Sequence, residues 1–160
     1  MRSNGFLEGG EVSQGPEITN SQIQATSNDL SNLALLSKSN IGSDVQEKIH
    51  YVDSLAIQSG LDLEQRKLLL GLIDHESAGT WSETIVGDNG CSIGIAQWNN
   101  CVGNIAPNIF EEQAQKIVNE MVDKFSQNSN LWAVSKHNAP YGSYRTTYVN
   151  KVIESSKLFN

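Results

Sequence analysis

Residues 63–76 read LEQRKLLLGLIDHE, set between Asp62 and the run Ser77-Ala78-Gly79. Asp62, with Gln65 three positions on, forms the reciprocal capping pair that starts a helix. Leu69, Leu72, Ile73 and Glu76 then recur at i, i+3, i+4 and i+7, so they share one helical face. The small residues 77–79 end the helix and open space beside it. A carboxylate therefore terminates the stripe that must pack into the core. A carboxyl half-enclosed by apolar atoms resists ionising, and its pKa climbs toward the range useful for donating protons. Glu76 is the candidate general acid; the plainer alternative is a solvated or lysine-paired glutamate in a last helical turn.

Working outward, residues 45–56 carry Val45, Ile49, Val52, Leu55 and Ala56 at helical spacing, ending at Gly60. Residues 110–125 repeat the pattern through Ala114, Ile117, Val118, Met121 and Val122. Two further helices are predicted, one beginning in residues 131–136 and the last over 144–158. Residues 1–43 are rich in Ser, Asn, Gln and Gly, which predicts a flexible arm or linker. Within it, Leu30, Leu33, Ala34 and Leu36 could form a short docking helix. The expected organisation is this arm followed by one domain over 44–160, mainly α with a small irregular β element.

Between the second and third helices lies GDNGCSIGIAQW, residues 87–98. Its glycines and Asn89 favour tight turns, and Ile93 and Ile95 alternate, so a hairpin or looped ribbon is predicted. Further on come Lys136-His137-Asn138-Ala139-Pro140 and the terminal Tyr148-Val149-Asn150-Lys151-Val152. Taken in order, Glu76-Ser77, then Ser92 through Gly94 to Gln97, then Asn138-Ala139, then residues 148–152 resemble the lysozyme-like superfamily. The resemblance is nearest to the soluble lytic transglycosylase domain and covers roughly residues 60–155.

That resemblance implies a mainly α, α+β lysozyme-like fold: a helical bundle around a central catalytic helix, with the β/loop element forming a glycan cleft. It implies peptidoglycan glycan strands as the partner, cut at the β-1,4 bond between N-acetylmuramic acid and N-acetylglucosamine. Glu76 would be the single general acid/base, and Ser92, Gln97, Trp98, Asn138 and Tyr148 would line the cleft. No cofactor is implied, and a monomer is expected. The chain departs from the family pattern at His137, where tyrosine is usual, and at Pro140, where glycine is usual. Ser92 also stands one residue further from Gly94 than in the commonest transglycosylase form, similar to a variant among lysozyme-like and phage-type domains.

A glycosidase usually needs two carboxylates; Asp88 and Glu83 are the candidates for the second. With Asp88 in that role the chain would be a lysozyme-type muramidase. A lytic transglycosylase needs no second carboxylate, and Asp88 in a Gly-Asp-Asn-Gly turn suits a residue bonding its own backbone. The remaining alternatives are a chitin-directed enzyme and a non-catalytic glycan-binding or assembly module of the same fold.

Cys91 and Cys101 are the only cysteines, ten positions apart. They suit a disulfide closing a short loop in an oxidising compartment; two thiols in a reducing one is the alternative. No metal-ligand spacing such as CxxC or HExxH occurs, and His75 suits a solvated or capping role. Ser77 and Ser92 lack a partner base, and no hydrolase-like strand–helix pattern surrounds residues 90–94. Of the tryptophans that could stack on sugars, Trp81, Trp98 and Trp132, the last is expected in the core.

The net charge of -7, with 11 Lys and Arg in 160 residues, disfavours a nucleic-acid partner. No apolar run approaches a membrane span. Residues 1–10 lack the core of a secretory signal. An extracellular, periplasmic or cell-surface location is expected, with a signal already removed or export by another route; retention inside the cell is the alternative.

Overall fold

The computed structural model describes residues 41–159. The arm predicted over 1–43, with its docking helix, lies outside the described residues except at 41–43. There the chain already enters the first described helix, α1 (Ser43–Gln58). The others are α2 (Leu63–Glu76), α3 (Phe110–Gln127), α4 (Asn130–Asn138) and α5 (Thr146–Ser156). Between α2 and α3 run three two-residue strands, β1 (Val86–Gly87), β2 (Ser92–Ile93) and β3 (Trp98–Asn99). They form one antiparallel sheet in the order β1-β2-β3, with Val86 opposite Ile93 and Ile93 opposite Trp98. The fold is thus mainly helical with a small antiparallel sheet.

The capping pair forms as predicted. Asp62 accepts from the Gln65 backbone N–H, and the Gln65 side chain accepts from the Asp62 N–H. Leu69, Leu72 and Ile73 are fully buried, and α2 touches each of the other described helices. At its C-terminus the Gly79 N–H bonds back to the Asp74 carbonyl and the Ala78 N–H to that of His75. The last helix begins at Thr146, two residues later than its hydrophobic pattern predicts.

Two devices fix the helices against α2. Arg66 donates both Nε and Nη2 to the Asp53 carboxylate at 2.8 and 2.7 Å, a buried two-pronged pair between α2 and α1. Gly71 lets α5 come close: a Cβ there would stand 2.6 Å from the Ser156 backbone nitrogen. Those two helices share the most extensive contact in the molecule's described part.

The sheet is too short to stand alone. Cys91 and Cys101 form a disulfide across its end. Gln113, fully buried on α3, fastens the loop as well. Its Oε1 accepts from the Ile95 N–H, while Nε2 donates to the carbonyls of Glu83 and Pro107. One amide side chain thereby satisfies three backbone groups that α3 would otherwise strand.

Candidate functional site

A cavity of about 420 Å³ opens between the sheet and the helices, with Glu76 on its wall. Asp88, Ser92, Gln97 and Trp98 come to it from the ribbon. Glu120 and Lys124 come from α3, and His137 and Asn138 from the end of α4. Glu76, Asp88, Ser92, Gln97, Trp98 and Asn138 all line this one space, and the Tyr148 hydroxyl bonds to Glu76.

The Glu76 side chain is only 15% exposed. The Tyr148 hydroxyl donates to its Oε1 at 2.6 Å, and His137 Nε2 approaches the same oxygen at 3.7 Å. Burial pushes the carboxyl up, the Tyr148 hydrogen bond pulls it down, and the Asp88 charge pushes it up again, to about 7. Oε2 has no hydrogen-bond partner among the described residues, and no buried polar side-chain atom there lacks one. Oε2 is therefore open to the cavity. Because Tyr148 donates to Oε1, the proton of the neutral acid resides on Oε2, facing whatever fills the cleft.

His137 is a group the sequence flags only as a departure from a pattern. Its Nε2 lies 3.0 Å from the Ala96 carbonyl oxygen. A carbonyl only accepts, so Nε2 carries the proton and the ring is the Nε2–H tautomer. Burial holds its pKa down to about 4, against the Ala96 hydrogen bond and with the Lys124 charge. A neutral imidazole thus packs beside Glu76 without ion-pairing to it, which leaves the carboxyl free to stay protonated. Burial also drives the Tyr148 phenol well above its ordinary range, with the Glu76 charge adding to the effect. Tyr148 therefore remains a donor at any working pH.

The ribbon wall is conformationally demanding. Asp88, Asn89 and Gln97 all have positive φ, at 47, 55 and 50°. Side chains resist that region by roughly 1 kcal/mol or more each. Gln97 is held there because its Nε2 donates to the Ile85 and Gly94 carbonyls. Its Oε1 fills the place a Cβ would take at Gly87, which is why residue 87 has no side chain. Asp88 is exposed, and its Oδ2 accepts from the Ser92 hydroxyl at 2.6 Å.

Several expectations change. Glu83 turns away to pair with Lys48 at 2.8 Å and lies outside the cavity, since Lys48 on α1 captures it. Trp132 is 42% exposed, because Ala133 and Val134 beside it take the inward positions of α4. Its ring meets Tyr144 edge-on at 5.0 Å, with the Lys136 ammonium over it. Trp98 is 2% exposed; its Nε1 donates to the Glu120 carboxylate and the Lys116 ammonium sits over its ring. His75 packs edge-on against Tyr148 at 5.5 Å. Ser77 Oγ is buried and accepts from the Trp81 N–H. Among the described residues no cluster of three His, Cys, Asp or Glu could hold a metal ion.

No protein-family model matches this chain, and no curated protein or solved structure matches it either.

Proposed function

We propose that the chain is a peptidoglycan-cleaving lytic transglycosylase with a lysozyme-like fold and Glu76 as its single general acid/base. One observation carries the reading: an enclosed carboxyl, held near pKa 7 and pinned through one oxygen, presents the other oxygen to a polar cleft. An acid poised near neutrality is populated in both forms, which suits a group that must give a proton and then take one. Glu76 Oε2 would protonate the glycosidic oxygen as the C1–O bond breaks. The resulting carboxylate, steadied by the Tyr148 hydroxyl, would then accept the proton of the sugar's own C6 hydroxyl as O6 bonds to C1. No water is consumed, and the product is a 1,6-anhydro sugar. Gln97, Ser92, Trp98 and Asn138 would form the walls that orient the strand. The chain would act as a monomer on glycan strands outside the cytoplasm, where the Cys91–Cys101 disulfide persists.

A second reading is favoured by one feature. Asp88 lines the same cavity, its carboxylate is oriented by Ser92, and its charge is felt by Glu76. With Asp88 activating water, the enzyme would be a muramidase. Mass spectrometry of digested peptidoglycan separates the two. Anhydro-muramic ends, lighter by one water, with Asp88→Asn still active, support the transglycosylase. Ends reducible by borohydride, with Asp88→Asn nearly dead, replace it with the hydrolase. Natural protein that releases no fragments from peptidoglycan refutes both.

A further inference from the structure

A second cavity, of about 400 Å³, adjoins the first. Asn138 lines both, and Tyr148, whose hydroxyl is bonded to Glu76, forms part of the second cavity's wall. Its other walls include His75, Tyr144, Arg145 and Lys151. Arg145 and Lys151 are exposed, and neither is ion-paired to a carboxylate among the described residues. The adjacent Asp74 does not line this space and accepts from Trp81 Nε1 at 3.3 Å. Burial and the Lys151 charge both hold His75 below its ordinary pKa, so the two standing cations are Arg145 and Lys151.

This local sign runs against the molecule's. A chain of net charge -7 repels an anionic polymer over long range, so an acidic substrate needs cations where it docks. A muramic acid residue carries its peptide on a lactyl ether at O3, which sends an acidic branch sideways from the glycan strand. A strand with its scissile bond at Glu76 would pass within one side chain of the cationic cavity.

We propose that this second cavity is a carboxylate subsite in which Arg145 and Lys151 hold the acidic peptide branch of the glycan bound in the cleft. The proposal rests on reading Glu76 as a glycan-cleaving acid, and it makes the substrate peptide-bearing peptidoglycan rather than bare glycan or chitin. The guanidinium offers two parallel N–H donors to a carboxylate, and the lysine ammonium adds a second charge. The Tyr144 hydroxyl and Asn138 amide supply neutral hydrogen bonds at the rim.

The test is titration calorimetry of the full-length Glu76→Gln protein with the N-acetylglucosamine–N-acetylmuramic acid disaccharide, with and without its acidic tetrapeptide. The peptide-bearing form should bind about tenfold more tightly, as two charge-assisted contacts at solvent-open positions allow. Adding Arg145→Ala and Lys151→Ala should bring that ratio to about one, while Arg145→Lys alone should keep part of it. Raising the salt should shrink the ratio in protein with both cations intact, a readout independent of how the variants fold. Equal affinity for the two disaccharides, no binding of either, or a preference that survives the double substitution overturns the subsite. Cleavage is scored separately on the natural protein. A peptide preference without cleavage supports the subsite and removes the role given to Glu76.

Discussion

The helices and the segment 78–103 are held by different physics. In the described helices, buried apolar stripes and the buried Arg66–Asp53 pair do the work, and no non-glycine residue has positive φ. In the segment 78–103 the strands are two residues long, and all five non-glycine residues with positive φ among the described residues fall there. A disulfide, the Gln113 amide and the Gln97 amide hold that shape instead. The difference teaches that the cleft's precision is imported. One wall is a rigid scaffold carrying Glu76 and Tyr148, and the other is a strained ribbon fastened to it.

The sharpest way to break the scaffold alone is Arg66→Ala. It leaves Asp53 buried without its partner and should cost about 3–5 kcal/mol, read as a cooperative loss of stability in urea. If the loss is below 1 kcal/mol, the pair does not lock α1 to α2.

Glu76→Gln should break chemistry without breaking either region. Turnover should fall at least ~10²-fold, while the helical signal is unchanged. Its stability should also carry a pH signature. Folded Glu76 titrates at about 7 against an ordinary 4.5, so the folded protein holds a proton that the unfolded chain has released between those values. That contribution is complete below pH 4.5 and is withdrawn as pH rises through 7. The melting point of the variant, relative to the natural chain, should therefore climb across that window. His137 has the opposite sign: its folded pKa of about 4 lies below 6.5, so its contribution is present above 6.5 and lost as pH falls through 4. Both proteins share that term, and it cancels in the comparison. A flat difference would place Glu76 in solvent.

Replacing both cysteines with serine sharpens the contrast from the other side. Opening a loop of this length should cost roughly 2–3 kcal/mol, and cleavage should suffer more than helicity, because the ribbon loosens first. Equal, simultaneous loss of both by proteolysis and activity assays would deny that the two regions are separable.

Tyr148→Phe has the smallest expected effect, about tenfold in rate, the scale of one hydrogen bond. Without that hydrogen bond the Glu76 pKa rises further, so the limb of the rate profile set by loss of its proton should move to higher pH. A shift to lower pH would contradict the contact.

Legibility followed the same divide. The helices are written in period, and Asp62 with Gln65 marks the start of α2 to the residue. Glu76 is visible because it ends an apolar stripe. The placements of Gln97, Asn138 and Tyr148 came from a resemblance to ordered motifs, and all three reach the cleft or its acid. His137 beside Glu76 could not be read, because its approach depends on how α4 ends against α2 rather than on any local pattern. Gln113 left a usable signal: it sits four residues before Ile117, a polar residue on an apolar face. Trp132 misled because residue type suggested the core, whereas the phase of α4 points it outward.

Gly71 carries a practical consequence. Exchanging a mid-helix glycine for alanine is a standard route to a sturdier protein, gaining up to about 1 kcal/mol from helix propensity. Here the added methyl group would collide with the backbone of α5 at Ser156. Relief would come by sliding α5 outward, and Tyr148 rides on α5. The helix that supplies the acid would become a better helix, and the phenol that tunes the acid would drift out of reach. A screen for heat resistance that admitted this exchange would select against the Glu76–Tyr148 contact, so position 71 should be held fixed in any such library.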